Sequence, residues 1–357
     1  MLKPATTIRS VKQYHPPLGG RAGLRLDFNE NTEGCSPLVL KRLRSITAEE
    51  LTRYPEREPV ERTIAHWLGL APDQAMLTNG VDEAIHLLCE TYLQPGNEAI
   101  IVVPTFGMYE VAASATGSTV RSIPAETNFG FPASAVLAAI TPQTRIIAIA
   151  NPNNPTGAVA SKDDLLTIAE RAAGAAVLID EAYYDFYGHT VVNEISRRAN
   201  LFVARTFSKA YGLAGLRVGV LCGPAAQIEY VRRIASPYNV NGVALACLPA
   251  ALSDQDFVTS YVQAVRHGRA RLQEELRACG IAFWPSEANF VLANFSEQRQ
   301  AFIAAMRQLG ILVRDRNNDP GCGGCVRITV GAEAHTDRLI TALRNFVERR
   351  KASEVSA

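Results

Sequence analysis

From position 75 onward, short runs that are apolar at nearly every position alternate with longer stretches of helical spacing. The runs fall at 75–77, 99–103, 145–150, 176–179, 201–204 and 218–222, with a more polar strand expected at 119–123. Between the first two, residues 82–93 set Ile85, Leu88 and Tyr92 on one face, which predicts a helix. Helical spacing returns from Pro104 to about Thr116, and again over 134–140, 162–172 and 227–234. Strands that are apolar throughout are buried on both faces. The pattern therefore predicts an α/β fold whose mostly parallel sheet is covered by helices. In such sheets ligands bind beyond the carboxyl ends of the strands, so the loops that follow strands are where chemistry is expected.

The flanks read differently. Residues 1–22 form an arm with little periodicity, containing Tyr14-His15-Pro16-Pro17, which must be extended or turning. A short strand is expected over 24–28. Ser36-Pro37 is a helix start, with a hydroxyl cap and proline at the first helical position, and that helix runs to about Ile46. Arg53-Tyr54-Pro55 is a loop, and 57–67 has helical spacing. After helices at 243–252 and 257–279 come strands at 289–293, 311–314 and 326–330, with helices at 300–309 and 334–348. This is the pattern of a smaller α+β domain. The expected division is an arm at 1–35, a large domain at 36–255 and a small domain at 256–357.

Composition narrows the class. The chain has 357 residues, 47% hydrophobic and 20% charged, with a formal net charge of +1. That is ordinary for a globular protein and argues for neither a nucleic-acid nor a membrane surface. No apolar run approaches the roughly 20 residues of a transmembrane helix. The first residues carry Lys3 and Arg9 with no apolar block behind them, so no secretory signal is expected. Seven cysteines, an odd number, read as reduced thiols in a cytoplasmic protein. Cys322 and Cys325 form a C-x-x-C without a second ligand pair or a thioredoxin-like setting, and read as a glycine-rich turn running into a strand.

The chemistry gathers around Lys209, in R-T-F-S-K-A-Y-G-L-A-G-L-R-V-G (205–219). A buried lysine of lowered pKa can form a Schiff base with an aldehyde. Thr206, Ser208 and Arg217 are groups that a phosphate monoester needs as ligands. Pyridoxal phosphate carries both an aldehyde and a phosphate. Asp180, directly after a strand, either caps a helix or pairs with a pyridinium nitrogen. Residues 151–157 (N-P-N-N-P-T-G) make a rigid turn able to hold an amide against a cofactor. Thr78-Asn79-Gly80 leads into a helix whose first amides can receive a phosphate or simply be capped. Phe106 either stacks on a flat ring or fills the core.

Taken in order, these segments resemble the class I and II, fold type I, pyridoxal-phosphate-dependent aminotransferases, and among them the histidinol-phosphate aminotransferases. The likeness rests on L-D-F-N-E-N (26–31), R-Y-P-E (53–56), T-N-G-V-D-E-A-I (78–85), P-T-F-G-M-Y (104–109), N-P-N-N-P-T-G (151–157), D-E-A-Y (180–183), the Lys209 segment, and V-R-D-R-N-N-D-P-G-C-G-G-C-V-R-I-T-V-G (313–331). It spans nearly the whole chain. It implies that Lys209 holds the cofactor covalently and moves the substrate proton. Asp180 is implied to pair with the ring nitrogen, Asn154 and Tyr183 to hold the ring's phenolate oxygen, and Phe106 to stack on the ring. The amides of Val81 and Asp82, with Thr206, Ser208 and Arg217, are implied to bind the phosphate. Tyr54 is implied to reach the neighbouring subunit's phosphate site, which makes a homodimer.

The same resemblance implies L-histidinol phosphate as amino donor and 2-oxoglutarate as acceptor. Arg327 would grip a carboxylate, and Arg314 would help accept a phosphate in its place unless it forms a surface ion pair. Asn29 lies where relatives cover the site, and Tyr14 matches a tyrosine that closes over the substrate. The arm departs from the family pattern around Tyr14, and Asn31 is followed by Thr32-Glu33 where many members have proline and an aromatic. Three rivals share the scaffold: an aromatic amino-acid aminotransferase, a lyase of the threonine-phosphate decarboxylase type, and a non-catalytic regulator. The last would carry a DNA-binding domain ahead of the first motifs, and no basic helix-turn-helix pattern is present.

Overall fold

A computed structural model of the chain describes residues 2–15 and 19–355, with the backbone alone for Ser10 and 351–355. The expectation for Pro16 and Pro17 lies outside the described residues. Among those residues the strands are β1 (Leu24–Leu26), β2 (Ala75–Thr78), β3 (Glu98–Val103), β4 (Thr119–Pro124), β5 (Thr144–Ala150), β6 (Ala176–Asp180), β7 (Leu201–Thr206), β8 (Gly219–Cys222), β9 (Ala282–Trp284), β10 (Phe290–Asn294), β11 (Ile311–Asp315) and β12 (Cys325–Thr329).

They form a seven-stranded sheet in the order β2-β8-β7-β6-β5-β3-β4 and a five-stranded sheet in the order β1-β11-β12-β10-β9. In the large sheet β4, β3, β5, β6 and β7 are parallel, and β8 runs antiparallel to both of its neighbours. The mostly parallel sheet of the α/β expectation is present. A connection from β7 returns the chain antiparallel to it as β8. That connection, residues 207–218, carries Lys209.

The continuous apolar runs are buried on both faces. Ile147, Ile149, Val177, Ile179, Val203 and Val220 join one core cluster, and Ile146, Ala148, Leu178, Phe202, Ala204 and Leu221 join the other. Alternate positions of one strand thus feed two cores, as the period of a strand requires. Six strands of the large sheet end at the same edge: β2 at Thr78, β3 at Val103, β4 at Pro124, β5 at Ala150, β6 at Asp180 and β7 at Thr206.

In the small sheet β1 pairs in parallel with β11, joining the start of the chain to its far end. The other pairings are antiparallel. Ser36 caps the helix Pro37–Arg44 as expected, accepting from the Leu38 amide at 3.0 Å. Elements not expected from the sequence are β9, the short helices Ala48–Thr52 and Tyr184–Tyr187, and 3-10 turns including Thr6–Ser10 in the arm. Each is too short for an apolar period to show.

A buried ion pair ties the ends of β6 and β7 together. Arg205 Nε donates to Glu181 Oε2 at 2.9 Å, and Glu181 also accepts from the Val191 amide and the Thr190 hydroxyl. The Arg205 guanidinium lies 3.6 Å from the centre of the Tyr184 ring. Removing one partner of a buried pair leaves the other charge uncompensated. Glu181→Ala should lower unfolding free energy in denaturant titration by about 3–5 kcal/mol. Glu49→Ala, which breaks the exposed pair with Arg53, should cost no more than about 1 kcal/mol. Equal losses would contradict this assignment.

Candidate active site

The loops that follow the strand ends enclose a cavity of about 590 Å³. One end is built on the N-terminus of the helix Gly80–Tyr92, where Val81 and Asp82 stand in the first turn. First-turn amides have no partner within their helix and point outward. Gly80 has φ +73°, and a Cβ there would come within 2.5 Å of Arg217 Nη2, so glycine leaves room for the guanidinium. Arg217 itself is held at φ 52° and donates to Asp82 Oδ2 at 3.0 Å. Thr206 accepts from the Ser208 amide at 3.1 Å, while the buried Ser208 Oγ has no hydrogen-bond partner. This cradle, with an orphaned hydroxyl, a guanidinium and a helix N-terminus, fits a phosphate.

Lys209 opens on the middle of the cavity. Its Nζ donates to the Phe28 carbonyl at 3.0 Å and lies 5.9 Å from the centre of the Tyr183 ring. Burial is the main force that lowers its pKa to about 8. Arg327 and Arg217 push the same way, while Glu30 and Asp82 oppose them. Lys3, Lys12, Lys41 and Lys162 are exposed. Lys209 is thus distinguished from them by shielding, the property that makes an amine nucleophilic near neutral pH.

Asp180 closes another side. Burial raises its pKa to about 6, against hydrogen bonds from Tyr109 and the Ala182 amide that favour the ionised form. Tyr109 Oη donates to Asp180 Oδ2 at 2.5 Å, and the Ala182 amide to Oδ1 at 3.0 Å. A buried carboxylate held by two donors suits a cationic ring nitrogen. Phe106 lines the cavity, and its ring meets those of Tyr14 and Tyr109 edge-on, each at 5.9 Å.

On the substrate side, Asn29 Nδ2 donates to Tyr183 Oη at 2.8 Å, leaving the phenol able to donate in turn. Burial, opposed by Arg327 and this hydrogen bond, raises the Tyr183 pKa. Arg327 is buried. It donates to Asn154 Oδ1 and, at 2.6 Å, to the Asp27 carbonyl. Asn154 therefore has its NH2 group to offer a ligand. Arg314 does not line the cavity but stands behind it, 5.3 Å from the centre of the Phe28 ring.

The structure thus brings Lys209, Asp180, Tyr183, Val81, Asp82, Phe106, Asn154, Thr206, Ser208, Arg217, Tyr14, Asn29 and Arg327 to one cavity. Tyr54 is elsewhere on the chain. It is 78% exposed and stacks on Tyr238 at 4.3 Å. Tyr109 was given no role from sequence, although its motif was singled out. The available signal was its place in the first turns of a helix that follows a strand end. Asn153, beside Asn154, fixes the loop by donating to the Pro104 carbonyl and accepting from Thr105.

The state of Asp180 has a measurable consequence. A carboxyl whose pKa rises from 3.8 to about 6 on folding stabilises the fold fully below the unfolded value. That contribution is lost as pH rises through 6, about 3 kcal/mol in total. In cofactor-free protein, Asp180→Asn should abolish this fall when urea unfolding is compared between pH 4 and pH 7. Parallel pH profiles for the two proteins would contradict it.

Comparison with known proteins supplies the family. The model of aminotransferase class I and II matches residues 21–343. A histidinol-phosphate aminotransferase of Dehalococcoides mccartyi strain CBDB1 is 34% identical, over 91% of this chain and 90% of that protein. One from Jannaschia sp. strain CCS1 is 36% identical, over 97% of this chain and 98% of that protein. The crystal structure of a Sinorhizobium meliloti histidinol-phosphate aminotransferase, in complex with pyridoxal-5'-phosphate, superposes with a TM-score of 0.88 at 22% identity, covering 98% of each chain. The chain therefore belongs to the class I and II aminotransferase family.

Proposed function

We propose that this aminotransferase uses pyridoxal phosphate to move the amino group of L-histidinol phosphate to 2-oxoglutarate, a step of histidine biosynthesis. The observation that carries this reading is a single cavity holding a shielded lysine amine, a buried carboxyl and an anion cradle. Relatives that bear the histidinol-phosphate aminotransferase name along more than nine-tenths of the chain support the choice of donor.

When bound, pyridoxal phosphate supplies a carbonyl that carries the amino group and a ring that takes up electrons from the substrate carbon. Thr206, Ser208, Arg217 and the amides of Val81 and Asp82 would hold its phosphate, and Phe106 its ring face. Asp180, kept in place by Tyr109, would hold a proton on the ring nitrogen. Asn154 and Tyr183 would donate to the phenolate oxygen. Lys209 would anchor the cofactor. Freed by the donor, its amine would take the proton from the substrate Cα and return it on the far side of the transfer. Its lowered pKa leaves enough neutral amine near pH 7 to act as a base. Arg327, with Arg314 behind it, would receive the anionic group of each substrate. Tyr14, at the mouth, would exclude water.

Tyr54 does not line the cavity of its own chain. Leu38, Leu40 and Leu43 on the helix Pro37–Arg44, Leu51 in the next helix, and Tyr238, which stacks on Tyr54, are exposed apolar side chains. Their burial between two copies would deliver Tyr54 to the partner's phosphate cradle. Sedimentation should give two copies per particle. Tyr54→Phe should weaken cofactor binding by about 10- to 100-fold, the loss of one hydrogen bond to a charged group. A monomer, or unchanged affinity, would overturn the dimer reading.

The donor is tested by a half-reaction. L-histidinol phosphate added to cofactor-loaded protein without a keto acid should discharge the cofactor's absorption band much faster than L-phenylalanine. Discharge by phenylalanine alone would make this an aromatic aminotransferase. Lys209→Ala should slow the discharge by at least about 10²–10⁴-fold, the usual contribution of a positioned base.

A further inference from the structure

Three guanidinium groups stand on one face of the small sheet. Arg314 on β11 lies directly opposite Arg327 on β12. The ladder continues past the end of β11, where the Arg316 amide donates to the Cys325 carbonyl at 3.0 Å. Side chains two apart on a strand share a face, so Arg316 joins the other two. Each of the three has a buried nitrogen with no hydrogen-bond partner: Arg314 Nη1, Arg316 Nε and Arg327 Nε. The Arg316 side chain is 10% exposed. Burial, with Arg316 and Arg314 acting in the same direction, drives the Arg327 pKa down to about 10.

The carboxylates nearby do not balance this charge. Asp315 pairs with Arg299, and Asp27 with Arg21. Asp319 pairs with Arg316. Three cations against one carboxylate leave a local surplus of two positive charges. A turn fixes this arrangement. The Asp319 amide donates to the Arg316 carbonyl, the Cys322 amide to the Asp319 carbonyl, and the Gly324 amide to Asn317 Oδ1, each at 3.0 Å. Cys322 and Cys325, the C-x-x-C of the sequence, are buried and anchor the turn against Leu292. Their placement gives the motif a structural use.

A carboxylate presents two oxygens and one charge, which two arginines can satisfy. A phosphate monoester presents three oxygens and nearly two charges near pH 7. Of the three, Arg327 lines the cavity and Arg314 and Arg316 stand behind it. We propose that Arg316 is a positioning residue for specificity: its charge, set beside Arg314 and Arg327, strengthens the pull of that wall on a dianionic phosphate and so favours a phosphorylated amine over a dicarboxylate. This inference rests on the functional reading above and adds a residue to it.

The test compares half-reactions of the wild-type, Arg316→Gln and Arg316→Lys holoenzymes with L-histidinol phosphate and with L-glutamate. Arg316→Gln should raise the KM for L-histidinol phosphate by about 10-fold, as expected for removing one positive charge near a dianion in a partly buried wall. The KM for glutamate and the limiting rates should change little. Arg316→Lys should recover part of the loss, and the same split is read from it if the glutamine variant does not fold. An equal rise for both donors would show a structural role and overturn the proposal, as would no rise for either. Failure of the wild-type enzyme to use L-histidinol phosphate would instead overturn the functional reading, and the proposal with it.

Discussion

A lysine amine must keep a neutral fraction near pH 7 in a cavity that would also collect anions. Most of the site can be understood from that constraint. Water is the first thing removed, since burial is the largest influence on Lys209. The cations that would receive phosphate and carboxylate groups also disfavour a charged amine. Arg327 and Arg217 therefore serve twice, as anion receptors and as neighbours that lower the lysine pKa. Glu30 and Asp82 moderate the effect. The same low-dielectric setting raises the Asp180 pKa, and Tyr109 and the Ala182 amide restrain that rise.

Backbone topology makes this chemistry possible. Parallel strands ending together bring Thr78, Val103, Ala150, Asp180 and Thr206 to one edge. The reversed strand β8 turns the segment after β7 back across that edge, which sets Lys209 in the middle and returns Arg217 beside Gly80. The Glu181–Arg205 pair locks β6 to β7 just below the reacting groups. From the other sheet, Asn29 and Thr329 exchange hydrogen bonds of 3.1 and 3.0 Å, although they lie 300 residues apart. The Phe28 carbonyl that receives Lys209 thus belongs to a segment held by the far end of the chain.

Much of the cavity was legible because residues after strand ends have nowhere else to go. Lys209, Asp180, Asn154 and Phe106 each follow an apolar run, and the rule for α/β sheets places such loops together. Uniformly apolar strands also revealed a sheet covered on both faces. Long-range pairing left no local trace. Nothing near residue 24 announces that β1 will pair with β11, and nothing near 218 announces that β8 is reversed. Tyr109 was hidden for another reason, since a tyrosine in an apolar helix reads as core until its hydroxyl is seen on Asp180. Arg316 was hidden because its importance lies in a charge balance shared with Arg314, Arg327 and Asp319, which only the assembled sheet shows.

The central claim is that Lys209, alone among the lysines, joins the cofactor covalently. The direct measurement is to load the protein with pyridoxal phosphate, reduce it with borohydride, digest it and locate the retained pyridoxyl group by mass spectrometry. The account predicts one labelled site, Lys209, at close to one group per chain. A label on Lys41 or Lys162, or spread among the exposed lysines with Lys209 unmodified, would contradict it.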